Sequence, residues 1–122
     1  MEIYGVDYGL CLTTWASGEI AKRCPDGKLQ NLGKYLNEGL PQNELFERIA
    51  GLAVVLNEGF ERREAYKRGE PFADASVLKA DVVLSLEIPE FLNVQRAVIK
   101  AIEDGSRTSV EVKPSKNAEG EA

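Results

Sequence analysis

The chain contains no histidine in its 122 residues. Histidine is the commonest general base near neutral pH and the commonest transition-metal ligand, so its absence removes the simplest routes to acid–base, nucleophilic and metal chemistry. Cysteine is scarce as well: Cys11 and Cys24 lie in different segments. Met1 to Trp15 holds Glu2 and Asp7 but no basic start ahead of its apolar residues, so it does not read as a secretory signal. No apolar run approaches the ~18 residues of a membrane span. A cytoplasmic chain without a membrane partner is expected, with both thiols free and filling space in the core. Positive charge is also in deficit, with 15 Lys and Arg against 20 Asp and Glu, a net charge of −5 and a pI near 4.8. Proteins that live on phosphate contacts are normally basic, so nucleic acid is not an expected partner.

What remains is ordinary soluble composition, 43% hydrophobic and 29% charged, in a length that suits one domain with a modest core. The chain is organised around Leu40 to Arg68, which reads as one long helix. Leu45, Ile49, Leu52, Leu56 and Phe60 recur at steps of three or four and share a face. Phe46, Ala50 and Ala53 form a second stripe, and Val54 and Val55 make the middle turn apolar all round. Such a helix is expected to be surrounded by other elements. Its C-terminal end is charged, with Glu58–Arg62 and Glu64–Arg68 at i,i+4 spacing, each supporting the helix by about 0.2–0.5 kcal/mol. Gly51 and Gly59 lie inside it; close packing is expected at Gly51 and a bend at Gly59.

The segments around it have local signals of their own. Glu2 to Thr13 reads as a short β-hairpin or extended arm with Gly5 to Asp7 near the turn. A lone hairpin is marginal in water, so its apolar side must pack on something. Thr14 is placed to cap a helix from Trp15 to Arg23, which Pro25-Asp26-Gly27 ends. Leu29, Leu32, Tyr35 and Leu36 predict a further helix, with Gly39 as its stop. After the break at Gly69-Glu70-Pro71, Phe72 is expected to fold back on the core. Ser76 or Asp74 is placed to cap a helix through Leu86. Pro89-Glu90 suits the first turn of a last helix running to about Glu103 and closed by Asp104-Gly105. Residues 108–112 alternate weakly and read as a short strand, and the polar remainder is expected to be disordered. The expected architecture is mainly α. A short N-terminal β-hairpin precedes a compact bundle of about five helices around one long central helix. Residues 1–105 form one domain, and residues 106–122 a flexible, disordered tail.

No catalytic, cofactor-binding or metal-binding residue stands out. Glu61 and Glu64 share a helix face but have basic neighbours and no histidine to complete a metal set. Asp26-Gly27-Lys28 lacks the further acids of a calcium loop. Either cysteine, as a nucleophile, would lack an activating histidine. Trp15 reads as a core anchor. For protein recognition the residues to watch are Arg62, Arg63, Tyr66 and Phe72, around the charged end of the long helix and the break after it, because exposed aromatics and arginines carry much interface energy.

Several strings resemble the small tail assembly chaperones of long-tailed bacteriophages and prophages. They are Ile3-Tyr4-Gly5 with Tyr8-Gly9-Leu10-Cys11-Leu12-Thr13, then Ala16-Ser17-Gly18-Glu19-Ile20-Ala21, then Cys24-Pro25-Asp26-Gly27 leading to Leu29 and Leu32. The long helix and the Leu84-Ser85-Leu86 and Pro89-Glu90-Phe91 junction complete the set, which spans about Glu2 to Gly105. The resemblance implies a mostly helical, non-catalytic protein without cofactor. It would work in the bacterial cytoplasm, bind the tape-measure protein, keep it soluble and help recruit tail-tube subunits; self-association is compatible with that role. A small acidic regulatory or inhibitory protein that binds a host factor is the alternative.

Overall fold

The computed structural model describes the backbone of residues 1–37 and 39–112, and side chains up to residue 106 in the last helix. It opens with two short antiparallel strands, β1 (Glu2–Ile3) and β2 (Val6–Asp7), in the register Glu2 opposite Asp7 and Ile3 opposite Val6. Tyr4 and Gly5 make the turn, both with positive φ (51° and 79°). That backbone twist suits a two-residue hairpin loop, and it places the turn slightly earlier than the glycine pattern predicts. A left-handed tyrosine is unusual, and here its hydroxyl lies 2.8 Å from Ser85 Oγ, far along the chain. Ile3 is buried and pins the hairpin to the core.

Residues Tyr8 to Thr13 then run as an arm into α1 (Thr14–Arg23). The cap is Thr13, not Thr14. Thr13 has the extended backbone that an N-cap needs (φ −74°, ψ 170°), and its hydroxyl accepts from Ala16 N–H at 3.1 Å. Ala16 and Ile20 thereby face inward and are fully buried. Cys24 ends the helix, with its thiol donating to Ile20 O at 3.4 Å; burial pushes the pKa of this thiol up. Single 3₁₀ turns at Pro25–Gly27 and Leu29–Asn31 lead to the one-turn α2 (Leu32–Tyr35), which stops well before Gly39.

The central helix α3 runs over Gln42–Lys67, as its apolar pattern predicts. Ile49, Ala50, Leu52, Ala53, Val55 and Leu56 are all buried. Arg48 fastens α2 to it, donating to Tyr35 O at 2.6 Å with its guanidinium 4.5 Å from the Tyr35 ring centre. Beyond α3, Asp74–Ser76 forms a 3₁₀ turn, and α4 (Ala80–Leu84) begins later than a cap at Asp74 or Ser76 would place it. The reason is that Val77 is extended and Val77 and Leu78 are buried, with Leu78 N–H held by a side chain of α3.

The last helix, α5 (Ile88–Val112), does not stop at Asp104-Gly105. Gly105 keeps helical geometry, so residues 108–112 are helical rather than a strand, and the backbone of α5 continues to Val112. The disorder expected for the tail falls on residues 113–122, outside the described residues. Phe91, Val94, Val98 and Ile102 form the buried face of α5. Among the described residues the fold is thus mainly helical, with a two-stranded N-terminal hairpin and five helices, of which α3 is the centre.

Candidate functional site

The relation of α3 to α5 creates the site. Near their N-terminal ends the helices touch through Phe46 and Phe91, whose ring centres are 4.7 Å apart. Both helices run in the same sense from there, and toward their C-terminal ends they part around the arm. Cys11 N–H donates to Leu56 O on α3 at 3.1 Å; a helical carbonyl has two lone pairs and can take a second donor. On the other side, Leu12 lies against α5.

A glycine on each helix makes this approach possible. A Cβ on Gly59 would stand 2.9 Å from Thr13 Oγ1 and 3.1 Å from both Ala16 Cβ and Cys11 O, so the helix surface is flush there with the arm and α1. A Cβ on Gly105 would stand 2.6 Å from Leu12 Cβ. Gly51, where close packing was expected, has open space within 4 Å of its Cβ position, and Gly59, expected as a bend, is the close contact inside an unbroken helix. Asn57 fixes the arm's height. It is fully buried, donating Nδ2–H to Gly9 O at 2.9 Å and accepting from Leu78 N–H at 2.7 Å.

Above the arm lies an open groove of about 1120 Å³. One wall is the C-terminal part of α3, with Gly59, Arg62, Arg63, Tyr66 and Lys67; the other is α5 with Ala101, Asp104 and Gly105. The floor is the arm itself and Trp15 at the start of α1. Tyr66 stands on the rim, 59% exposed. The volume exceeds the ~300–1,000 Å³ usual for small-molecule pockets, and the site is open along its length.

The basic residues of the wall differ in how they are held. Arg62 is clamped: its guanidinium carbon is 4.4 Å from the ring centres of both Trp15 and Phe72, and Nε donates to Glu58 Oε2 at 2.8 Å. The hydrogen bond it donates to the Glu58 carboxylate keeps its pKa above the ordinary arginine value. Arg63 is exposed, with Nη1 3.0 Å from Cys11 Sγ and Nε 3.5 Å from Glu64 Oε2. Lys67 shares the same Glu64 oxygen at 3.5 Å. One carboxylate thus stands between two cations. Asp104 pairs with Lys100 at 2.9 Å.

Of the four residues singled out for recognition, Arg62, Arg63 and Tyr66 come together on the groove, whereas Phe72 stacks on Arg62 and does not line it. Trp15, read as a core anchor, is only partly buried and forms part of the floor. Lys67 belongs to the same basic cluster and was within reach of sequence reasoning. Asn57 was passed over, although an asparagine directly after the all-apolar turn Leu52–Leu56 is itself a signal. Among the described residues, no three of the cysteine, aspartate and glutamate side chains gather closely enough to hold a metal ion, and no helix is long and apolar enough to cross a membrane. No family model matches the chain, and neither a curated protein nor a solved structure matches it.

Proposed function

We propose that this protein acts by binding another protein, as a tail assembly chaperone that holds the tape-measure protein and helps bring tail-tube subunits to it in the bacterial cytoplasm. The observation that carries the reading is the groove: an open, partly apolar channel with an arginine-rich wall and a tryptophan in its floor. Aromatic and arginine side chains are the residue types on which interface energy concentrates. Its size and openness favour a chain segment over a small substrate. The client is named from the resemblance of several strings to those of tail assembly chaperones. Of these strings, the one that ends in Leu10-Cys11-Leu12-Thr13 supplies floor residues of the groove, and the long helix supplies one wall.

Co-purification tests this. The full chain, expressed with the long helical tape-measure protein encoded beside it, is expected to hold that protein in the soluble fraction and elute with it. A chain that fails to associate, from a gene without tail genes as neighbours, overturns the proposal.

A further inference from the structure

Charge is distributed unevenly over this molecule. The chain as a whole carries −5, yet the groove is lined by Arg62, Arg63 and Lys67 against the single carboxylate of Asp104 among the described residues. Asp104 is already engaged by Lys100, and Glu58 neutralises Arg62. Arg63 and Lys67 have the one carboxylate of Glu64 between them, so among the described residues this rim carries net positive charge, in a chain whose net charge is negative. A basic patch of that kind attracts and orients a negatively charged partner.

The wall also has a shape. Gly59, Arg62 with Arg63, and Tyr66 follow one another at i, i+3/i+4 and i+7 on α3, which makes the wall a helical ridge. Ridges of one helix are met by the grooves of another. The wall from Gly59 to Lys67 rises about 12 Å, two turns, and a helix with its side chains is about 10–12 Å across. Apolar surface for its buried face comes from Leu10, Leu12, Trp15 and Ala101.

We infer that the groove between the C-terminal half of α3 and residues 101–105 of α5 is the docking site for an acidic amphipathic helix of a partner protein. Its apolar face sits on the arm and Trp15, and its carboxylates meet Arg63 and Lys67. This rests on the binding role proposed above and says which kind of client segment is taken, and where.

Trp15 is the chain's one tryptophan and lies in the floor, so its emission reports occupancy directly. Two tryptophan-free synthetic helices serve as probes. Both have leucines at i, i+3, i+4 and i+7, with glutamates on the other faces of one and lysines on the other faces of the second. The full-length protein is expected to bind the glutamate helix saturably, about tenfold more tightly than the lysine helix, with the advantage shrinking as salt is raised. The double variant Arg63→Glu, Lys67→Glu is expected to lose or reverse that preference at unchanged far-UV ellipticity. Should it not fold, Tyr66→Ala, which changes an exposed rim residue, is expected to weaken the glutamate helix while leaving its salt dependence in place. Equal or tighter binding of the lysine helix overturns the inference, as does a double variant that keeps the wild-type preference. A Trp15 emission that shifts with protein concentration alone, with a dimer in sedimentation, gives the groove to a second copy and overturns it too. The double variant still holding the tape-measure protein would remove the groove assignment and leave the chaperone role. Peptide binding at the groove without tape-measure association would do the reverse.

Discussion

Asn57 is the fully buried polar side chain among the described residues, and both of its hydrogen bonds join parts of the chain that are remote in sequence. Replacing it strands the Gly9 carbonyl and the Leu78 N–H. Leaving buried groups unpaired costs about 1–3 kcal/mol each, so Asn57→Ala is expected to lower stability by about 2–4 kcal/mol in urea unfolding. Asn57→Leu separates the bonds from the volume. It fills the site and is expected to be destabilising too, and a neutral result would show that volume matters there and bridging does not. The glycines of α3 give a second contrast at this scale. Gly51 has open space where a Cβ would stand, so Gly51→Ala is expected to gain up to about 1 kcal/mol from helix propensity. Gly59→Ala brings the same propensity gain but drives a methyl into Thr13, Ala16 and the Cys11 carbonyl, and a net loss in urea midpoint is expected. The sequence shows two glycines in one helix at eight-residue spacing and nothing to tell them apart. Which one faces a neighbour is settled by where the arm runs, and that is a contact between segments more than forty residues apart.

At the scale of elements, Arg62 joins α1, α3 and the connection after α3. It does so through two aromatic faces and one carboxylate, and the two kinds of contact have different worth. A partly exposed i,i+4 ion pair contributes about 0–1 kcal/mol. A guanidinium between two rings gains about 0.5–2 kcal/mol from each favourable face, and a lysine ammonium cannot lie flat between them. Arg62→Lys is therefore expected to cost more, about 1–2 kcal/mol, than Glu58→Gln, and to change the near-UV signal of Trp15; the opposite order in urea titrations would mean that the ion pair holds the clamp. Element boundaries were legible where the signal is local. The apolar stripe marks α3 to within two residues at its start and one at its end, and Pro25-Asp26-Gly27 stops α1 as expected. They were not legible where a remote contact decides. Gly105 resembles a helix stop, but Leu12 of the arm sits where its side chain would be, and the helix passes through. The cap of α1 moved from Thr14 to Thr13 because the arm delivers Thr13 in extended geometry.

For the molecule as a whole, three of the four recognition residues named from sequence share the groove, because they belong to one amphipathic helix end whose periodicity is visible in the chain. The opposite wall and the floor were not visible, since nothing local says that the arm and α5 come to that same end of α3. This assembly has a consequence for unfolding. The hairpin, α1, α3, α4 and α5 all contribute side chains to one continuous core, from Ile3 through Ile20, Leu52 and Leu56 to Val83 and Val98. The arm has no core of its own: its backbone is bonded to Leu56 O and to the Asn57 amide. An arm held in this way cannot come away without exposing the face of α3 around Gly59 and the Leu12 seat on α5. Its release should therefore be coupled to loss of the helical core. Trp15 emission, which follows the floor, and far-UV ellipticity, which follows the helices, are expected to give the same urea midpoint, and Asn57→Ala should move both together. If Trp15 titrated clearly before the helices, the arm and α1 would be a separately opening unit, and the groove floor would be a moving part.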